Sequence, residues 1–233
     1  MSRILAILAI LALLAVGVLA PLGDDDKGEP LPRSLPGPEL GDGHGYSEAT
    51  LGGFRRLVRG EGWSLANPPR NAQGMLQAVH GKTGLRFVLV PEGEFRMGSE
   101  ESEEGRYEGE GPVHIVRVPA FLLCRTECTQ RAWDAVGGED ERRFKGPDLP
   151  IEGVSWDAVK AWCAGAGLRL PSEAEWEYAC RAGSATRFGF GDDEGSLMGH
   201  AWFRGNSDGK THPVGEKLPN AWGFRDLHGN VWE

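Results

Sequence analysis

One segment leaves little freedom in how it folds. RLPSEAEWEYACRAG, residues 169–183, carries its own start and stop. Ser172 followed by Glu175 is a capping box, in which each side chain satisfies a main-chain N–H of the first turn. Trp176, Ala179 and Cys180 then fall at i, i+3 and i+4 and share one face. Gly183 supplies the residue type that ends a helix in the left-handed conformation. Two more short helices are predicted on the same logic. Thr129 caps one holding Trp133 and Val136, and Ser155 caps another with Val159, Trp162, Cys163 and Ala166 on one face. With 35 glycines and 15 prolines in 233 residues, the pattern is that of a loop-rich domain rather than a helical bundle.

The first twenty residues read differently. After Arg3, residues 4–20 are apolar without a charge, which predicts a signal peptide or a membrane anchor and places the rest of the chain outside the cytoplasm. Cleavage after Ala20 would be hindered by Pro21, and 15–17 offers a second small-residue site. Residues 21–45, rich in Pro and Gly and without hydrophobic period, form a linker. The net charge of −9 argues against nucleic acid, which requires a basic face. Any membrane contact would come only through the N-terminal segment. Export permits disulfides, and Cys124, Cys128, Cys163 and Cys180 can pair in three ways. The apolar neighbours of Cys128, Cys163 and Cys180 favour small buried hydrophobes over reactive thiols.

Residues 46–84 receive no function. Ser47 can cap a short helix with Leu51, Phe54 and Val58, and Met75, Leu76 and Val79 suggest a second one. The globular domain is expected to run from 85 to 233. LRFVLVPEGEFRMG reads as strand, turn and strand, and VHIVRVPAFLLCRTE as one or two strands more. Between them the glutamate-rich stretch 98–112 reads as a solvated loop.

Phosphate loops, dinucleotide fingerprints and nucleophile elbows are missing from the sequence, and the six histidines are scattered. The stretch NAWGFRDLHGNVWE, residues 220–233, offers one constellation. Asp226 and Glu233 can converge across a glycine turn that also aims the carbonyls of Gly229 and Val231 inward. Two carboxylates with carbonyl oxygens make a hard shell suited to calcium. The bland alternative is a turn that pins Trp232 into the core with both acids solvated.

Several pieces in order resemble the formylglycine-generating enzyme, or sulfatase-modifying factor, family. They are FVLVPEGEFRMGS, GPVHIVRVPAF, TECTQRAWDAV, the helix pair in LPIEGVSWDAVKAWCAGAGLRLPSEAEWEYACRAG, and THPVGEKLPNAWGFRDLHGNVWE. They cover 85–233. The resemblance implies a low-regularity α+β fold related to C-type lectins. It implies a chemistry in which O₂ and copper(I), held by two cysteine thiolates, convert a sulfatase cysteine to formylglycine. It also implies calcium at Asp226, Gly229, Val231 and Glu233, whereas Trp202 after Ala201 departs from the Asn that opens a second calcium site. Cys163 and Cys180 match positions that can form disulfides with partners further along. The copper-binding cysteines lie beyond the matched motif, so the fold is expected to be incomplete at the C-terminus. The chain as given is expected to be inactive, with no catalytic residue of its own. A sulfatase or another exported protein is the implied partner. The alternative within the family is a non-catalytic structural or binding module at the cell surface. An iron-dependent sulfoxide synthase would need a histidine triad that His44 and His80 do not supply.

Overall fold

The computed structural model describes residues 45–103 and 105–232, and the backbone of 15–16. The N-terminal apolar segment apart from 15–16 and most of the linker lie outside the described residues, as does Glu233. Among the described residues, no helix is long and apolar enough to cross a membrane.

The architecture is mixed α+β, with two small antiparallel sheets and a few short helices. The larger sheet has the order β1-β7-β4-β3-β2, formed by β1 (Ala15–Val16), β2 (Trp63–Arg70), β3 (Leu76–His80), β4 (Arg86–Val90) and β7 (Phe121–Cys124). The smaller pairs β5 (Gly93–Met97) with β6 (His114–Val118). β4 and β7 lie at the centre of the large sheet because RFVLV and FLLC are apolar on both faces. Phe87, Val88, Leu89, Phe121, Leu122 and Leu123 are all fully buried. β4 and β5 are indeed strands joined by a turn, but they belong to different sheets and do not pair.

Among the described residues, five α-helices flank these sheets: α1 (Glu48–Leu57), α2 (Gln130–Val136), α3 (Trp156–Ala166), α4 (Glu173–Arg181) and α5 (Leu197–His200). The hydroxyls of Ser47, Thr129, Ser155 and Ser172 each accept from the N–H three residues on, as the sequence predicts. The Glu175 carboxylate closes the box by accepting from the Ser172 N–H at 2.8 Å. The helix stop differs slightly from expectation. Ala182 already adopts the left-handed conformation (φ 47°), one residue before Gly183. Ala182 is buried, so packing offsets a backbone cost of about 1–2 kcal/mol. α2 and α3 meet through Trp133 and Trp162, stacked at 5.2 Å, and the Trp162 indole N–H donates to the Trp133 carbonyl.

Three expectations change. The helix foreseen around Met75, Leu76 and Val79 is instead β3. It is paired on both sides, with β2 and β4, and its ladder partners decide its conformation. The expected domain start at Leu85 moves back to Tyr46. Leu51 and Phe54 of α1 enter the same core as Phe87 and Phe121, and the Tyr46 hydroxyl donates to the Leu89 carbonyl at 2.8 Å. The acidic loop is mostly exposed, but Glu110 is buried in it and accepts from the Ser99 hydroxyl at 2.8 Å.

If α1 is part of one cooperative unit, Phe54→Ala and Phe121→Ala should each cost about 3–5 kcal/mol. Urea unfolding should then show both midpoints shifted in a single transition. A midpoint unmoved by Phe54→Ala would separate α1 from the core.

Candidate metal centre

The stretch 220–232 has almost no regular structure, so side chains reaching across the fold hold it in place. Asn220 is buried beneath the end of α4. Its amide donates to the carbonyls of Ala179 and Cys180, at 2.8 and 3.1 Å, and its oxygen accepts from the N–H groups of Trp222 and Phe224. At Gly223 the backbone is left-handed (φ 91°), and a Cβ there would lie 2.1 Å from the Asn71 amide nitrogen. That amide donates to the Trp222 carbonyl.

The turn itself is pinned by Glu127, which follows β7 and has no solvent exposure. Its carboxylate accepts from the Asn230 amide at 2.8 Å and from the Val231 N–H at 3.1 Å. Asn230 also bonds both main-chain groups of His212, and its N–H donates to the Trp202 carbonyl at 2.7 Å. Gly229 is required by close approach: a Cβ there would lie 2.0 Å from the Trp202 oxygen. Trp202 and His212, which carry these contacts, are themselves stacked at 3.7 Å.

Asp226 sits at the base of this turn, left-handed (φ 66°) and only 2% exposed. One carboxylate oxygen accepts from the Gly215 N–H at 2.6 Å. The other, Oδ1, is buried and has no hydrogen-bond partner among the described residues. Burial pushes the Asp226 carboxyl up to about 6, against the pull of the Gly215 N–H and of Arg225 and Arg125. The carbonyls of Gly229 and Val231 accept no main-chain hydrogen bond among the described residues. Of the predicted calcium set, Asp226, Gly229 and Val231 therefore lie in one pinned loop, and Glu233 lies outside the described residues. Among the described residues, no group of three His, Cys, Asp or Glu could hold a metal. The fit to a hard cation rests on the buried, unpartnered Oδ1, which lacks a partner that only a donor or a cation can supply. Arg225 and Arg125 work against that fit.

The cysteines do not fit copper. All four are buried in the core, and among the described residues no disulfide joins them. Burial pushes the Cys124 and Cys163 thiols up to about 12 and raises Cys128 well above its ordinary range, so these three remain protonated. Cys180 lies 3.8 Å from His228 Nε2, under the C-terminal loop. Copper(I) needs a pair of thiolates that can ionise and be reached, and this core provides none.

Sequence reasoning missed Glu127 and Glu177. Both follow or interrupt apolar runs, and in each case the partners lie far along the chain. Glu177 is buried between the Arg181 guanidinium at 2.7 Å and the Gly98 N–H at 3.0 Å.

Comparison with known proteins agrees with this fold. Residues 72–233 match the model of the sulfatase-modifying factor enzyme 1-like domain. The chain is 38% identical over 219 residues to the formylglycine-generating enzyme of Mycobacterium tuberculosis, covering 63% of this chain and 72% of that one. It is 30% identical over 220 residues to the bovine inactive C-alpha-formylglycine-generating enzyme 2, covering 68% of this chain and 72% of that one. Among formylglycine-generating enzymes of bacteria and mammals, the chain spans from 60% to 72% of the relative's length. The solved structure of PvdO from Pseudomonas aeruginosa superposes with a TM-score of 0.58 at 37% identity, covering 64% of this chain and 69% of that one. A family match over more than half its length makes this chain a member of the sulfatase-modifying factor enzyme 1-like family.

Proposed function

We propose that this chain is the calcium-stabilised framework of a formylglycine-generating-type protein, exported through its N-terminal apolar segment, and that it does not by itself oxidise a sulfatase cysteine. The observation that carries this reading is the state of the thiols. Cys124, Cys128 and Cys163 are at most 2% exposed, and burial keeps them protonated. They serve as core hydrophobes. Copper and O₂ chemistry would need a thiolate pair from elsewhere.

Calcium would be held by Asp226 Oδ1 and the carbonyls of Gly229 and Val231, with Glu233 as the second carboxylate. It would supply charge compensation for a carboxylate that burial otherwise penalises, and it would cross-link a loop that has no ladder of its own. The chain's own groups do the positioning: Glu127 orients the turn, Asn220 anchors its entry, and Gly215 holds the other oxygen of Asp226.

The buried thiols equally favour the second reading within the family, a non-catalytic module that binds an exported protein. The similarity to a relative named inactive is in keeping with it. Both readings predict that a peptide carrying a sulfatase-type cysteine keeps its mass when incubated with this chain, copper(I) and O₂. Formylglycine in that peptide would overturn both.

A second outcome follows from the Asp226 carboxyl, whose pKa in the folded chain lies near 6 against an ordinary 3.8. In chelator above pH 6 the buried charge costs up to about 3 kcal/mol of stability. As pH falls from 6 to 4 the folded chain takes up the proton before the unfolded chain does, and this cost disappears. Asp226→Asn should therefore be the more stable protein in chelator at pH 8, lose that advantage at pH 4.5, and show no stabilisation by calcium. Denaturant midpoints across this range check it; parallel pH profiles for the two proteins would contradict the assignment.

A further inference from the structure

Three arginines stand side by side without the partners that buried cations normally have. Phe87 of β4 pairs with Cys124 of β7, so Arg86 and Arg125 form the next rung, and the Arg125 N–H donates to the Arg86 carbonyl at 2.9 Å. Cross-strand partners on one rung project to the same face. Arg225 extends the row, its N–H donating to the Arg125 carbonyl at 3.0 Å. None of the three makes an ion pair among the described residues, although seven other arginines do. Among the described residues, the guanidinium of Arg225 donates to the carbonyls of Gly215 and Lys217. The side chains of Arg86 and Arg125 make no hydrogen bond among the described residues, and Arg125 Nε is buried without a partner.

This arrangement is costly. Like charges directly opposite on neighbouring strands destabilise a sheet, and a half-buried guanidinium with an unsatisfied N–H adds a desolvation cost. Burial and the charges of Arg86 and Arg225 push the Arg125 pKa down. Asp226 offsets part of this charge, and Glu216 lies close to Asp226 in turn, which leaves the row with positive charge in excess. In a chain of net charge −9, acidic side chains were available to pair with it. The row also stays open to solvent, since all three residues are partly exposed.

We propose that Arg86, Arg125 and Arg225 form a binding site for a doubly charged tetrahedral oxyanion of the phosphate or sulfate kind. Guanidinium forks match the edges of such an anion with paired, charge-assisted hydrogen bonds. Its negative charge offsets the excess on the row, and Arg125 Nε gains the acceptor it lacks. The site borders the turn that holds Gly229 and Val231 and shares Asp226 with it, so it is tested with calcium removed.

The test uses the full chain in chelator at pH 7.5 and constant ionic strength. Sodium sulfate, sodium phosphate, sodium acetate and sodium chloride are titrated by calorimetry. Saturable binding of sulfate or phosphate to one site is expected, with acetate and chloride much weaker. Arg125→Gln and Arg86→Gln should each weaken sulfate binding about tenfold or more, while Arg131→Gln, on an exposed pair with Asp148, should not. In chloride alone, Arg125→Gln or Arg86→Gln should melt no lower than the parent, because each relieves repulsion; a purely structural arginine would melt lower when removed. Equal sulfate affinity in parent and variants would overturn the site. Acetate binding as tight as sulfate would overturn the choice of a tetrahedral dianion. Either glutamine variant alone suffices if the other fails to fold.

Discussion

A carboxylate with no solvent contact holds this domain's irregular half to its regular half. Glu127 follows the central strand β7, and its two oxygens reach Asn230 and Val231, more than a hundred residues further on. Taking a carboxylate out of water is expensive unless its lone pairs are met, so the site tolerates Glu127 only with those donors in place. The dependence runs both ways. Without the carboxylate, the Val231 N–H would lose its acceptor and the Asn230 amide one of its two, leaving the turn between Asp226 and Trp232 held by the bonds of Asn230 to His212 and Trp202 and of Asp226 to Gly215. The positions of the Gly229 and Val231 carbonyls therefore follow from a residue outside the motif.

Three buried carboxylates can be compared on this basis. Glu127 receives the Asn230 amide and the Val231 N–H among its donors, and Glu177 receives an arginine and a main-chain N–H. Asp226 receives one N–H on one oxygen, and its other oxygen has none. That difference separates a structural carboxylate from one available to a cation. It also explains why burial raises the Asp226 carboxyl to about 6 despite two arginines nearby. The arginine row and the turn thus meet at one residue, with Asp226 serving as a partial counter-charge to the first and as a ligand candidate to the second.

The sequence was readable where signals are local. Ser172 with Glu175, Ser155 and Thr129 announce their helices because a cap and its N–H lie three residues apart. RFVLV and FLLC announce central strands because nothing polar interrupts them. Met75, Leu76 and Val79 misled, since a short apolar run is compatible with either period and only pairing with β2 and β4 decides. The packing of 46–57 was hidden for the same reason: Leu51 and Phe54 of α1 join Phe87 and Phe121 in the core, and Tyr46 donates to the Leu89 carbonyl, partners that no local pattern reveals. At the site, glycines and a carboxylate pointed to the turn, but the residues that hold it there, Glu127, Asn220 and Gly215, come from three separate segments.

The most direct measurement of the central claim is calcium titration of the isotope-labelled chain, followed through its backbone amide resonances. Binding at Asp226 should shift Gly215, whose N–H it accepts, together with residues 226–232, and saturate at one ion per chain. Saturation with shifts confined to the glutamates of 98–112, or no calcium binding at all, would contradict it.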